Sequence, residues 1–213
     1  MIQLGSPSVF GTVPNVEVIG ITGRMKSGKN AVADMLVEIL KERQSSGYFS
    51  NYDIKVYAFA DPLKECLINT FGLRREALYT QEGKASMNYH WDMTYRQILQ
   101  KFGTEAVRNN LHKDAWIFAM DNYINNLENN TVLIIPDVRF ENEASLCRNY
   151  GHILNIERPG IVTKMMRFKE KLHLVHKSEQ PLPSQFIDYT IVNDGTLGEL
   201  KSKVRMFVGW LTH

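Results

Sequence analysis

Gly23, Gly28 and Lys29 stand at G-x4-G-K spacing, between an apolar run and a segment of helical periodicity. Glycines at those places let successive backbone N–H groups curl around an anion, and the following helix N-terminus adds partial positive charge. Lys29 can reach the β- and γ-phosphates of a nucleotide. Gly23, Arg24, Lys26, Ser27, Gly28, Lys29, Asn30 and Ala31 are therefore the candidate phosphate-binding loop. The plainer alternative is a glycine-rich turn carrying a surface lysine; the strand-to-helix context favours the loop. Ser or Thr usually follows the lysine and binds Mg2+ through its hydroxyl. Here Asn30 does, and its amide oxygen can accept a bond from a metal-bound water.

Asp137 follows the apolar run Thr131 to Ile135 by one proline. An acid at the carboxyl end of a buried strand suits holding the waters around Mg2+, and a helix N-cap is its alternative role. Arg139 and Glu143 come next, four residues apart, either as site residues or as a surface i,i+4 pair. Arg96 falls in the first turn of a helix, where a cation opposes the dipole; that misfit suggests gripping a phosphate, against the alternative of a solvated side chain. Lys164, Arg167, Lys169, Lys171, His173, His176 and Lys177 crowd one stretch, as a solvated cationic loop or as a lid that closes over phosphates. Trp116 and Tyr95 can stack on a base, although aromatics at helical spacing are more often core.

Positioning these residues requires elements that the hydrophobic periodicity locates. Strands are expected at 16–22, 54–59, 131–135, 152–156 and 189–192, from apolar or β-branched runs bounded by turn residues. Helices are expected at 31–41, 63–71 behind an Asp61 cap and Pro62, from Thr94 through Ala106, and at about 113–127 and 140–150. A last helix runs from the Thr196 capping box to Trp210. Alternating strand and helix in this order implies an α/β fold with a parallel sheet covered on both faces.

A chain of 213 residues, 44% hydrophobic and 23% charged, suits one globular domain behind a loose arm at 1–15. A net charge of +2 offers no whole-chain attraction to a nucleic-acid backbone, so direct nucleic-acid binding is not expected. Apolar runs are too short for a membrane span, and the start reads as no signal peptide. Two cysteines without a CxxC argue against disulfide or zinc chemistry and fit a reducing cytoplasm. The assembly stays open, a homodimer being the commonest for soluble chains.

Taken together, Gly23 to Lys29, the stretch from Phe59 to Lys64, the stretch from Arg96 to Glu105, Trp116, Asp137 to Glu143, His176 to Glu179 and Asn193 to Gly195 occur in a familiar order. The set resembles the bacteriophage-type deoxynucleoside monophosphate kinases of the P-loop nucleoside monophosphate kinase superfamily, over roughly residues 16–210. That family commonly carries Asp where this chain has Asn30. The resemblance implies a P-loop kinase fold with a five-stranded parallel core, an acceptor-binding region at about 61–115 and a lid at about 158–180. It implies ATP and Mg2+ as cofactors and a deoxynucleoside monophosphate as substrate, in the host cytoplasm if the source is viral. Asp61, Arg96, Trp116, Arg139 and Glu143 would then face the acceptor, and Asp137 the Mg2+ shell, through water. Asn193 and Gly195 would border adenine, and Arg167 would lead the lid cations on closure. Two rival readings are a phosphomevalonate kinase, similar in its G-x4-G-K loop and Pro-Leu-Lys-Glu segment, and a P-loop module that binds nucleotide without catalysis. A nucleic-acid-binding module has still less support.

Overall fold

The computed structural model describes residues 15–44, 51–160 and 180–212. Five strands form one parallel sheet: β1 (Val16–Thr22), β2 (Asp53–Val56), β5 (Thr131–Ile135), β6 (Gly151–Glu157) and β7 (Tyr189–Val192), in the order β2-β5-β1-β6-β7. A two-residue hairpin, β3 (Met87–Asn88) with β4 (Met93–Thr94), stands apart from it. Helix α1 is Lys29–Gln44, α2 Asp61–Phe71, α3 Arg75–Tyr79, α4 Gln81–Ala85, α5 Tyr95–Gln100, α6 Ala115–Asn125, α7 Glu141–Arg148 and α8 Leu197–Leu211. The architecture is the expected α/β fold.

Alternation along the strands divides the core. Ile19, Ile21, Val132 and Ile134 pack with Leu36 and Leu40 of α1 and Val204 and Phe207 of α8 on one face. Val18, Leu133 and Ile135 pack with Met120 of α6 and Leu146 of α7 on the other. All of β5 is buried, as a central parallel strand covered on both faces should be. A smaller core, with Leu67, Leu78, Tyr95 and Ile98 at its centre, ties together the 61–115 region.

The departures from expectation have local causes. β2 stops at Val56 instead of Phe59 because side chains capture the N–H groups that a longer strand would offer to a neighbour: Ala58 donates to Asp61, and Phe59 and Ala60 to Asp137. Ala60, rather than Asp61, is the N-cap of α2, and Asp61 occupies its first turn. Asp137 does not cap α7, whose N-cap is Phe140. The helix opened by the Thr94 capping box is α-helical only to Gln100 and continues as a π-helix over Lys101–Leu111. Gly103 lies within that π segment, beside the α2 side chain Leu63, whose Cδ2 a Cβ there would approach to 2.8 Å. The expected arm falls outside the described residues except for Asn15, and 161–179, the bulk of the expected lid, also lies outside them.

Candidate active site

The carboxyl ends of β1, β5, β6 and β7 share one sheet edge, where open α/β sheets bind ligands. At the end of β1 the loop turns through Gly23 (φ 137°), Lys26 (φ 67°) and Gly28 (φ 105°), and the two glycines adopt backbone angles that side-chain-bearing residues avoid. Space demands glycine too. A Cβ on Gly23 would strike the carbonyl of Ile156, and one on Gly28 would lie 2.6 Å from Asn193 Nδ2. That Asn193 amide, just past β7, donates to the Ser27 carbonyl at 2.9 Å and braces the loop. Lys29 Nζ donates to the carbonyls of Gly23 (2.6 Å) and Arg24 (2.8 Å). Burial presses its ammonium down to about 8, aided by the Arg139 charge and opposed by Asp137. The Ser27 hydroxyl, buried in the same loop, has no hydrogen-bond partner among the described residues. Asn30 and Gly195 are exposed.

Asp137 sits beyond β5 and holds the β2–α2 turn through Phe59 N (2.8 Å) and Ala60 N (3.1 Å). Desolvation raises its carboxyl, while those two N–H donors and the charges of Arg139 and Lys64 pull the other way. Asp61 has both oxygens occupied, one by Ala58 N and the other by Lys64 Nζ at 2.7 Å. These two bonds hold Asp61 at the β2–α2 turn, at the start of the 61–115 region.

Of the two readings open for Arg139 and Glu143, the structure does not form the surface i,i+4 side-chain pair. Glu143 is 2% exposed, and Oε2 accepts from the backbone N–H groups of Arg139 (2.8 Å) and Phe140 (3.2 Å). Oε1 accepts from Arg108 Nη2 at 3.0 Å, and the Arg108 guanidinium stacks 4.0 Å over the Phe140 ring. Glu143 therefore holds the Arg108 guanidinium as well as the turn that leads into α7. Burial pushes the Glu143 carboxyl up to about 7, with Asp137 adding to the effect and the N–H donors and Arg108 opposing it. The unfolded carboxyl ionises near 4.5, so stability from this group is full below 4.5 and is lost as pH rises towards 7. The unfolding free energy of the parent relative to Glu143→Gln should therefore grow by about 2 kcal/mol as pH falls from 8 to 5. Denaturant melts at both pH values measure this. A difference independent of pH would mean that Glu143 remains ionised throughout.

Arg139 is exposed, and its side chain makes no hydrogen bond or ion pair among the described residues. Its charge reaches Lys29, Asp137 and the α4 residue Lys84. Arg96 donates to Gln81 Oε1 of α4 at 3.2 Å and acts electrostatically on the same Lys84. Trp116 is half-buried, its indole N–H donating to the Gly103 carbonyl at 2.9 Å. Arg167 lies outside the described residues. The sequence pattern does not announce the placement of Arg108 or Lys84 beside these residues. On a regular α-helix Arg108 falls about 120° around from Arg96, and only the π segment changes that phase; Lys84 sits in a stretch without clear periodicity.

A phosphate-binding loop, an acid at the end of the central strand β5 and an arginine two residues beyond it define a P-loop protein equipped to handle phosphorylated ligands. Comparison with known proteins refines this. The family model for deoxynucleotide monophosphate kinase matches residues 75–204, and the chain belongs to that family. A relative from Acanthamoeba polyphaga mimivirus bearing the family's name is 30% identical over 201 residues, covering 88% of this chain and 93% of the relative. The deoxynucleotide monophosphate kinase of Enterobacteria phage T4 is 23% identical over 259 residues, covering 89% of this chain and 98% of the phage protein. The deoxynucleoside-5'-monophosphate kinase of Escherichia phage T5 is 29% identical over 130 residues, covering 59% of this chain and 50% of its own. The chain is a phosphotransferase. Among the described residues no helix is long and apolar enough to cross a membrane.

Proposed function

We propose that this chain transfers the γ-phosphoryl group of ATP to the 5′-phosphate of a deoxynucleoside monophosphate, giving ADP and a deoxynucleoside diphosphate for DNA synthesis. The observation carrying this reading is the electrostatic coupling of Lys29, Asp137 and Arg139: a donor-phosphate loop and an arginine with no ion pair among the described residues act on one carboxylate. Phosphoryl transfer needs little more from the protein than two phosphates held in line, with cations on the moving charge.

Lys29 exchanges its two carbonyl partners for donor phosphate oxygens, which the loop N–H groups from Arg24 to Gly28 also bind. Arg139 and Arg96 hold the acceptor phosphate, and Trp116 lies against the acceptor base. Glu143 acts through the β5–α7 turn, whose N–H groups it binds, and through Arg108. Asn193 holds the loop and, with Gly195, borders adenine. Residues at about 61–115 bind the acceptor, and a lid at about 158–180 brings Arg167 in and excludes water.

The donor set suits Mg2+ carried on nucleotide phosphates: one carboxylate, Asp137, and one exposed amide, Asn30, are hard oxygen ligands. No group of three or more His, Cys, Asp or Glu residues that could cage a metal occurs among the described residues. Asp137 would hold the ion through water, and the ion supplies neutralisation of the phosphate charge. Asn30→Asp should keep kcat within about threefold of the parent. It should also stabilise the first turn of α1, which contains no acid, by about 0.3–1 kcal/mol. Kinetics and melting together check this, and a folded but inactive Asn30→Asp enzyme would show that the amide itself is required.

Initial rates of ADP formation from ATP with dAMP, dCMP, dGMP, dTMP, the ribonucleotides and phosphomevalonate test the reaction as a whole. Transfer to at least one deoxynucleotide is expected. ADP with phosphomevalonate alone, or with no acceptor, would replace this reading with one of its two rivals, which the family assignment does not favour.

A further inference from the structure

Helix α4 is only five residues long, yet it is anchored on two sides. A Cβ on Gly83 would lie 2.5 Å from Ala77 Cα and 2.7 Å from the Glu76 carbonyl, so a bare backbone is what lets α4 press against α3. The Thr80 hydroxyl accepts from Gly83 N at 3.0 Å, and Gln81 takes the Arg96 guanidinium. Lys84 lies three residues beyond Gln81, on the same face of the helix. It is half-buried, and its ammonium has no hydrogen bond or ion pair among the described residues.

Its electrostatic neighbours are Lys64, Arg96 and Arg139, which repel it, and Asp137, which attracts it. Lys64 is neutralised by Asp61 at 2.7 Å, and Asp137 already accepts two backbone N–H groups. Among the described residues Arg96 has only an amide as partner, and Arg139 has none. Among the described residues, three cations thus gather where no carboxylate pairs with any of them. Burial and these like charges press the Lys84 ammonium below its ordinary range. A solvated surface lysine has no cause to sit half-buried among cations, whereas a docked phosphate dianion would pair with all three.

We propose that Lys84 binds the acceptor's phosphate as a third cation beside Arg96 and Arg139, held there by the packing of α4 on α3 and α5. The inference rests on the acceptor site described under Proposed function. Lys84→Met tests it, with Kd for a deoxynucleoside monophosphate and for ADP measured by calorimetry, and KM for each substrate by kinetics. Kd and KM for the monophosphate should rise at least about tenfold, the loss of one charge-assisted hydrogen bond, while the values for ADP and ATP stay within about twofold. Lys84→Arg should recover most of the loss by restoring the charge. Should Lys84→Met melt early, Lys84→Gln, which keeps a polar tip at nearly the same length, carries the same comparison.

An unchanged monophosphate Kd in a folded variant, or an equal loss for ADP, would overturn the assignment of Lys84 and leave the kinase reading intact. A parent enzyme that binds and phosphorylates no deoxynucleotide would instead overturn that reading, and this inference with it.

Discussion

Lys29→Ala is expected to lower kcat by about a thousandfold or more, roughly 4 kcal/mol of transition-state stabilisation, without moving the melting curve appreciably. The side chain packs against its own loop, donating to the Gly23 and Arg24 carbonyls, and no ion pair of the fold depends on it among the described residues. Truncation therefore removes a charge from the donor site and little else. An ammonium already resting on carbonyl oxygens can transfer to phosphate oxygens with small displacement, and it can follow charge as the phosphoryl group leaves.

The same lysine supplies a pH signature. Burial lowers its ammonium to about 8, so in the free enzyme it is charged below that value and neutral above. The kcat/KM for ATP should accordingly fall as pH rises through 8. ADP binding at pH 8.5 should take up protons as phosphate restores the charge, a quantity read from calorimetry in two buffers of different ionisation enthalpy. Near-normal turnover by a folded Lys29→Ala protein would remove the donor site from this loop.

How far the sequence carries depends on how local each determinant is. β1, β5 and β7 are found at their expected bounds, because a β-branched or apolar run closed by turn residues is a local signal. The capping boxes at Thr94 and Thr196 are found for the same reason: donor and acceptor lie three residues apart. β2 is shortened by Asp137, which captures the Phe59 and Ala60 N–H groups from nearly eighty positions away, and no local pattern announces that. The π segment, whose Gly103 carbonyl accepts from the Trp116 indole, likewise has no local sequence signal. The i,i+4 spacing offers Arg139 as a surface partner of Glu143, whereas the structure brings in Arg108 from 35 residues away. Spacing proposes neighbours; burial decides which charges meet.

The pairing of Glu143 with Arg108 sharpens the case of Arg139. Were it the surface partner of Glu143, replacing it by lysine would cost a few tenths of a kcal/mol. Glu143 instead takes the Arg139 backbone N–H and the Arg108 guanidinium, so it fixes where the Arg139 main chain sits and leaves the Arg139 side chain unpaired among the described residues. The guanidinium lies near enough to Lys29 and Asp137 to influence the charge of both, at the sheet edge where donor and acceptor phosphates would meet. A planar fork there can bind two phosphate oxygens at once and keep the acceptor in line, which a lysine ammonium cannot reproduce. Arg139→Lys should therefore keep the charge, fold normally and lose about a hundredfold in kcat, near 3 kcal/mol. Binding of the monophosphate should weaken less than kcat falls, because a point charge at the same place still attracts a dianion in the ground state. Steady-state kinetics with each accepted deoxynucleotide decides between the two roles, and a kcat within about threefold of the parent would return Arg139 to the status of a solvated surface arginine.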